Sequence, residues 1–262
     1  MFVRGERKIE LTEAAEVFIP FAKKCLLAAR AGVRSAQSIS RGEPREFEVA
    51  YCTLIDTHLI AGMKALLENA HPRIPVRFRS FARDQLMRRL LDSASHAAVT
   101  LLPVDEEVAR ACLLREELFL VVPDDHSLAR KAEIRVAEIG DAPVIWPSGV
   151  MPSAVTKDLF SRLRRGGCVP NVVHEAQTVA ESLGLAREGL GITLIKTSDR
   201  CLVGDRLKVI PLAAALPVET GLIYIRERRW ELLREFVTLV TNHFQVDRSG
   251  PKENSGFPSA RA

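Results

Sequence analysis

The sequence lacks the short motifs that mark the common enzyme classes. It contains no HExxH metalloprotease motif, no Walker phosphate loop, no GxSxG nucleophile elbow and no GxGxxG dinucleotide fingerprint. Its six histidines are dispersed, so a metal site would require distant residues to converge in the fold. These absences predict a protein that is not an enzyme and that carries no cofactor and no metal.

Cysteines are few, and long apolar runs are missing. The five cysteines show no CxxC spacing and have no nearby histidine pairs, which favours free thiols in a reducing compartment. Redox sensing by one of them is the alternative to their usual role as small buried side chains. No apolar run reaches the roughly 20 residues that span a bilayer, and charges are mixed into the N-terminal segment, unlike a secretory signal. A cytoplasmic protein without a membrane span is therefore expected.

Positive charge is concentrated at the N-terminal end of the 262-residue chain. Residues 1–45 contain nine Lys or Arg and five Glu, which accounts for the whole net charge of +4. A basic end suits contact with phosphates, whereas the formally neutral remainder suits a receptor for a small molecule. An ordinary basic surface helix is the alternative explanation. With 47% hydrophobic residues, the chain has enough apolar material for two compact units.

The first residues have the order expected of a basic wing followed by a helix. A basic cluster comes first, made of Arg4, Arg7 and Lys8. A short apolar alternation follows at residues 9–11, and Thr12 then stands as the predicted N-cap of a long amphipathic run. Residues 1–11 are thus interpreted as a wing.

A single long helix is predicted from Thr12 to about Ser38. Apolar residues recur at helical spacing throughout this segment. A helix of this length that touches its own domain only at one end usually pairs with a second copy of itself, and packing along its own domain is the alternative. Gly42 and Pro44 then mark a hinge, so residues 12–45 are expected to form a linker and dimerisation segment.

Past Arg45, alternating strand and helix patterns predict two α/β units in tandem, each with a parallel sheet and right-handed crossovers. The elements predicted first are strand Phe47–Cys52, helix Thr57–Asn69, strand Val76–Phe81, helix Arg83–Leu91, strand Ala97–Leu102 and two short strands, Ala109–Leu114 and Leu118–Val122. The second unit comprises helix Val136–Ile139, strand Pro143–Trp146, helix Ser153–Arg164, strand Asn171–Glu175, helix Thr178–Glu188 and strand Ile192–Ile195.

A final strand, Thr220–Ile225, and a final helix, Trp230–Phe244, are expected to return to the first unit. The predicted two-lobed domain therefore spans residues 46–245. Lobe I comprises about 46–114 and 215–245, and lobe II about 115–214. Residues 246–262, which are rich in Ser, Gly, Pro and charge, are predicted to be a disordered tail.

Three passages resemble, in the same order, segments of LysR-type transcriptional regulators. Leu11-Thr12-Glu13-Ala14-Ala15 is similar to the LTEAG-like entry into the linker helix of that family. The run ELFLVVP at 117–123, with HSLA at 126–129, is similar to the family's LVLVVP and HPLA. The run LAREGLGITLI at 185–195 is similar to its LVAAGLGIALLP.

The resemblance implies a two-lobed effector-binding domain with the type 2 periplasmic binding-protein fold, preceded by a wing remnant and a long linker helix. It implies that the DNA recognition helix would precede Met1, and that Arg4, Arg7 and Lys8 would contact the DNA backbone. The sequence departs from the family at two places. Lys196 stands where proline is common, and His96 stands near a position usually held by aspartate.

Ligand contacts are expected where parallel strands end, because those ends face a crevice and helix N-termini there offer free N–H groups. The resemblance adds weight to the loops after the first and second strands and to the loop that opens lobe II. The candidate ligand-binding residues are Thr53, Leu54, Ile55, Ser80, Arg83, Thr100, Trp146, Ser148, Gln177 and Thr178. Their hydroxyls, backbone amides and single arginine suit a small carboxylate.

Each kind of candidate also has a purely structural explanation. Ser and Thr at strand ends are commonly helix N-caps. Arg83 can be a solvated helix residue, and Trp146 can be a core residue. Asp56 is expected to cap a helix rather than to contact a ligand.

Three functions remain open at this stage. The favoured one is a LysR-type regulator in which a small effector biases the geometry of a homodimer or homotetramer, and thereby its DNA binding. Without a recognition helix, this chain alone is expected not to bind an operator specifically. The second is a partner that pairs through its 12–38 helix with an intact regulator and silences it. The third is a plain solute-binding protein.

Overall fold

The computed structural model describes residues 2–4, 9–19, 21–22, 25–26, 29, 46–105, 108–147, 151–226 and 230–244. The strands are β1 (Phe2–Arg4), β2 (Ile9–Leu11), β3 (Phe47–Tyr51), β4 (Val76–Ser80), β5 (Ala97–Leu102), β6 (Ala109–Pro123), β7 (Pro143–Trp146), β8 (Asn171–Glu175), β9 (Ile192–Lys196), β10 (Leu207–Pro211) and β11 (Pro217–Tyr224). The helices are α1 (13–19, with 21–22, 25–26 and 29 also helical), α2 (Thr57–Ala70), α3 (Arg83–Leu91), α4 (Ser153–Arg165), α5 (Val179–Arg187) and α6 (Glu231–His243). Short 3₁₀ segments lie at Ser127–Arg130, Val136–Ile139 and Thr197–Leu202.

The N-terminal residues form a small hairpin followed by the start of a helix. β1 pairs with β2 in antiparallel register, with Phe2 opposite Leu11. The predicted N-cap is confirmed, because the Thr12 hydroxyl accepts a hydrogen bond from the amide of Ala15 at 3.2 Å. Outside the described residues lie Arg7, Lys8, the predicted helix beyond residue 29, the hinge at Gly42 and Pro44, and the predicted tail.

One sheet of nine strands forms the body of the described chain, in the order β4-β3-β5-β11-β6-β9-β7-β8, with β10 paired to β6. β3 lies between β4 and β5, and β7 lies between β8 and β9, all in parallel register. The antiparallel strands β6 and β11 join these two parallel triplets. The body is therefore two α/β lobes, as the sequence predicts.

Strand β6 is a correction to the sequence prediction of two short strands, Ala109–Leu114 and Leu118–Val122. The charged run between them resembles an interruption, yet it keeps the two-residue alternation of a strand, with Glu116 buried between exposed neighbours. β6 pairs with β11 up to Glu117 and with β9 from Leu118, so it passes from lobe I to lobe II at this point. The prediction is wrong because Glu116 has buried partners, which are described below.

Each lobe has an apolar core under its helices. In lobe I, Phe47 on β3 packs against Phe236 of α6, with ring centroids 5.3 Å apart. In lobe II, Trp146 on β7 packs against Phe160 of α4, with ring centroids 4.7 Å apart. Full burial of a side chain such as Phe contributes about 1.5–3 kcal/mol, so contacts of this kind stabilise each lobe separately.

The other predicted elements are present with ends within three residues of those expected. Strand β10 was absent from the sequence prediction, and the helix expected at Val136–Ile139 is a 3₁₀ segment. None of the helices in the described ranges is long and apolar enough to cross a membrane.

His96, one of the two departures from the family pattern, belongs to the core of lobe I. Its ring stacks on Phe47 with centroids 4.9 Å apart and meets the ring of Trp230 at 4.6 Å. Its Nδ1 accepts a hydrogen bond from the amide of Glu48 at 2.9 Å. Aromatic packing and a satisfied amide thus accommodate a histidine at this position, and the fold is kept.

Candidate functional site

The carboxyl ends of the three parallel strands of lobe I lie side by side. Tyr51, the last residue of β3, is opposite Ser80 on β4 and Val99 on β5. This register brings Thr53, Ser80 and Thr100 to one edge of lobe I, with the first two exposed and Thr100 buried. Polar residues from or just after three parallel strands therefore lie at this edge of the lobe, with Ser80 and Thr100 on opposite faces of the sheet.

Cys52 directly follows β3 and precedes Thr53, and its amide donates to the carbonyl of Val99 at 3.2 Å. Its thiol is 1% exposed and hydrogen-bonded to the Thr100 side chain. Burial raises the pKa of this thiol, against smaller lowering effects that include the charge of Lys196 in lobe II. Cys52 is therefore a buried thiol that stays neutral at neutral pH.

Leu54 and Ile55 turn their side chains into the core, where they are 4% and 5% exposed. The amide of Ile55 donates to the carbonyl of Cys52 at 3.1 Å and closes a turn. Asp56 follows, and its carboxylate accepts the amide of His58 at 2.9 Å. The prediction that Asp56 caps α2 is confirmed.

Lobe II presents a matching edge at the ends of β7, β8 and β9. The amide of Ala176, just after β8, donates to the carbonyl of Trp146 at 2.8 Å. Gln177 and Thr178 follow and are exposed. The Thr178 hydroxyl accepts the amide of Glu181 at 3.1 Å, so Thr178 is the N-cap of α5. Thr178 therefore has the capping role that was the structural alternative, and its contact with a ligand stays a prediction.

The side chain of Trp146 lies within the core of lobe II. It is 2% exposed, and its Nε1 has no hydrogen-bond partner among the described residues. It lines a small apolar cavity of about 10 Å³ together with Cys168 and Thr193. Trp146 therefore occupies a core position, which was the structural alternative to a role in ligand contact. The side chain of Arg83 and all of Ser148 lie outside the described residues.

Lys196 is a charged residue at this boundary that the strand-end argument missed. It is the one buried lysine or arginine among the described residues, at 4% exposure. Its ammonium lies 2.9 Å from Ser198 Oγ, 3.4 Å from Glu116 Oε2 and 3.7 Å from Asp199 Oδ1. These four residues are called the Lys196 cluster below. Its signal in the sequence was the replacement of the family's common proline.

Backbone amides also bind the two carboxylates of the Lys196 cluster. Glu116 Oε1 accepts the amide of Ser198 at 2.9 Å, and Asp199 Oδ2 accepts the amide of Lys196 at 3.3 Å. Burial raises the pKa of the Asp199 carboxyl, although the charge of Lys196 acts in the opposite direction. The cluster thus ties the segment after β9 to Glu116, at the point where β6 changes lobes.

Helix α4 makes two further contacts across the lobe boundary. Asp105, which follows β5, accepts the Ser153 hydroxyl at 2.5 Å and the amide of Ala154 at 3.2 Å. It thereby caps a helix whose own N-cap residue makes no side-chain hydrogen bond. Farther along α4, Arg162 donates to the carbonyl of Pro217, the first residue of β11, at 2.6 Å.

The positions of the described cysteines and other possible metal ligands bear on whether the chain binds a metal or senses redox changes. Among the described residues, no three His, Cys, Asp or Glu side chains come together as a metal site. The cysteines are free thiols, and burial raises the pKa of Cys112 to about 11. A thiol with a raised pKa holds little thiolate at neutral pH, so this residue is poorly suited to redox sensing.

The family model of the LysR substrate binding domain matches residues 40–245. The HTH-type transcriptional regulator TfdS of Cupriavidus pinatubonensis is 24% identical over 243 residues, covering 90% of this chain and 81% of TfdS. The effector binding domain of QuiR in complex with shikimate superposes with a TM-score of 0.66 at 15% identity, covering 76% of this chain and 96% of that domain. Full-length CbnR complexed with its target DNA gives a TM-score of 0.65 at 18% identity, covering 90% and 83%.

Two parallel α/β lobes joined by antiparallel strands define an effector-binding domain of the type 2 periplasmic binding-protein class. The chain belongs to the LysR substrate-binding domain family, which forms the effector-binding part of LysR-type transcriptional regulators. The resemblance found in the three sequence passages is therefore confirmed.

Proposed function

We propose that this chain senses a small organic molecule between its lobes and changes the geometry of a homo-oligomer, without catalysing a reaction. The effector would meet the hydroxyls of Thr53, Ser80 and Thr100 in lobe I. In lobe II, the proposed contacts are Ser148, Gln177 and Thr178, whereas the Trp146 side chain belongs to the core. DNA contact by Arg4, Arg7 and Lys8 and a cytoplasmic location stay predictions.

One observation supports this proposal above the others. Parallel strands end in polar residues in both lobes, and Asp105, which follows β5 of lobe I, bonds to Ser153 and Ala154 at the start of α4 in lobe II. Ligands of open α/β sheets bind at such ends. A related fold, QuiR, is bound to shikimate, which is a small carboxylate. This supports the same class of ligand here.

The buried hydroxyl of Thr100 provides the test. Thr100→Val removes this hydroxyl, whereas Thr238→Val removes an exposed one on α6 and serves as the matched control. Thermal midpoints would be measured with a panel of small carboxylates and neutral metabolites. We expect affinity to fall by roughly tenfold in Thr100→Val and to stay unchanged in the control. Equal affinities in all three proteins would refute a site at the lobe I strand ends.

A second function, pairing with another helix, has support from α1. Its side chains Val17, Phe18, Phe21 and Leu26 are 48–63% exposed. Apolar stripes on helices are normally covered by a partner, and a helix of the same sequence offers a matching stripe. We propose that this face joins two copies of the chain, or one copy and a longer LysR-type regulator.

Charge placed on this stripe tests the pairing. Phe18→Glu introduces a carboxylate into the stripe, and Leu202→Glu does the same at an exposed leucine elsewhere. Sedimentation should show a weaker dimer for Phe18→Glu and an unchanged one for Leu202→Glu. Co-purification of a longer LysR-type chain from source cells would favour the silencing partner, whereas homo-oligomers alone would argue against it.

A further inference from the structure

Lys196 is a buried ammonium at the boundary of the two lobes. It ends β9, opposite Leu118 of β6, next to the residue at which β6 passes from pairing with β11 to pairing with β9. Taking an ammonium out of water is costly unless close partners replace the water. The contacts around Lys196 therefore decide whether this residue serves the fold alone.

The three partners of this ammonium lie at unequal distances, and its hydrogen bond to Glu116 is long. An ammonium has three N–H donors, and charge-assisted bonds to carboxylates are usually 2.7–2.9 Å long. Ser198 accepts one donor at 2.9 Å, whereas Glu116 lies at 3.4 Å and Asp199 at 3.7 Å. Both carboxylates keep a backbone amide if the ammonium turns away. A ligand anion at ordinary distance would be a better acceptor than either.

Glu116 connects this ammonium to the strand that changes lobes. β6 pairs with β11 as far as Glu117 and with β9 from Leu118, so Glu116 lies next to the change of partner. A ligand that draws Lys196 away from Glu116 would loosen the contact between the segment after β9 and this strand. Ligand binding and the lobe boundary are coupled through one ammonium.

From this geometry we infer that Lys196 anchors a carboxylate group of the effector, and that Glu116 competes with the effector for the same ammonium. The inference rests on the proposed function and adds to it the charge of the ligand and the residue that selects it. Lys196 is then a specificity-determining residue. The ion pair with Glu116 is the state of the site before the effector binds.

Substitutions of the two partners have opposite expected effects on binding. Lys196→Met keeps the length of the side chain and removes its charge, Glu116→Gln removes the competing charge, and Lys131→Met breaks the exposed pair with Glu138 as a control. The probes are benzoate and shikimate, each beside its neutral methyl ester, titrated calorimetrically into the full chain. We expect the acids to bind and the esters to bind far more weakly.

For the acids, Lys196→Met should weaken binding by roughly 10- to 100-fold, because a hydrogen bond to a charged group is lost. Glu116→Gln should strengthen it several-fold, and Lys131→Met should leave it unchanged. Circular dichroism checks that each variant is folded. If Lys196→Met does not fold, Lys196→Gln, which keeps two donors without the charge, replaces it with the same expectation.

A cluster that serves only as a structural brace predicts a different pattern, in which both Lys196→Met and Glu116→Gln weaken binding together. That pattern, or equal affinity in wild type and Lys196→Met, would overturn the inference. Esters that bind as well as the acids, with binding reduced in Thr100→Val, would overturn it while leaving the proposed function intact. A chain that binds neither acids nor esters contradicts both.

Discussion

Each lobe contains a cluster of charged side chains around a buried carboxylate. The two clusters have similar composition, but they lie at opposite ends of the parallel strands. In lobe I, Glu48, Arg89 and Ser95 meet near the start of β3, at the amino ends of the parallel strands. In lobe II, the Lys196 cluster lies at the carboxyl end of β9. Each combines a cation, a carboxylate and a serine. Ligands of open α/β sheets bind at the carboxyl ends of the strands, so only the cluster of lobe II lies at the end of the sheet where a ligand is expected.

The two clusters also differ in how closely their partners approach. Glu48 Oε1 accepts Arg89 Nη2 at 2.5 Å and Ser95 Oγ at 2.6 Å, whereas the carboxylates around Lys196 lie at 3.4 Å and 3.7 Å. Burial raises the pKa of Glu48, but the hydrogen bonds from Ser95 and Arg89 outweigh it and hold the pKa below its ordinary value. The short bonds of the lobe I cluster stabilise its charge strongly, and the long carboxylate contacts of Lys196 should stabilise its charge less.

The largest expected effect comes from opening the lobe I cluster. Arg89→Met leaves Glu48 buried without its closest cation, which should lower the free energy of unfolding by about 3 kcal/mol. Urea denaturation measures this. An exposed arginine at the end of α4 gives a control, because Arg165→Met should change the stability by about 0.5 kcal/mol or less. Equal losses in both variants would mean that the Glu48–Arg89 ion pair contributes no more to the free energy of unfolding than an exposed arginine does.

The same cluster sets a pH dependence. Since the folded state lowers the pKa of Glu48, its contribution is present above the ordinary value of 4.5 and is lost as the pH falls through the lowered value. Arg89→Met should therefore lose stability less steeply than wild type as the pH falls from about 4.5 towards the lowered value. Urea midpoints recorded down the acid range would show the two curves converging. Parallel curves would contradict the assignment to Glu48.

Lys196→Met should cost less stability than Arg89→Met, about 1–2 kcal/mol, although Lys196 is more deeply buried. Of the contacts it loses, only the hydrogen bond to Ser198 is short, and Glu116 and Asp199 both keep backbone amides. Chemical denaturation of both variants under one condition makes the comparison direct. A loss as large as that of Arg89→Met would show that the Lys196 cluster is as important to the fold as the lobe I cluster.

The fold and one half of the site follow from local sequence patterns. Alternating strands and helices predict the parallel triplets, and parallel register alone brings Thr53, Ser80 and Thr100 to one edge. The Lys196 cluster could not be predicted in this way, because Lys196 and Glu116 are 80 residues apart and meet only through antiparallel pairing of β6 and β9.

The same reason explains the error in β6. A run of three charged residues predicts a break, since burial of Glu116 is favourable only with a partner that local patterns do not reveal. The departure from the family's common proline at Lys196 was visible in the sequence. Its meaning depends on the contact with Glu116, which only the tertiary structure supplies.

The smallest expected effect, and the one with the opposite pH dependence, belongs to Asp199. Burial raises the pKa of its carboxyl above the ordinary 3.8, so the folded state holds this proton more tightly than the unfolded state. Stability from this group therefore falls as the pH rises from 3.8 through the raised value. Asp199→Asn removes the titration and keeps an oxygen for the amide of Lys196. At neutral pH its stability should lie within about 1 kcal/mol of wild type.

Relative to wild type, Asp199→Asn should become more stable as the pH rises from about 4 to about 7. Urea midpoints of the two proteins across this range measure the difference, with Asp205→Asn, at an exposed aspartate, as the control. A difference that stays constant with pH would show that the Asp199 carboxyl is ionised throughout. The ammonium of Lys196 would then be committed to Asp199 as firmly as Arg89 is to Glu48, and the distinction between the two clusters would fail.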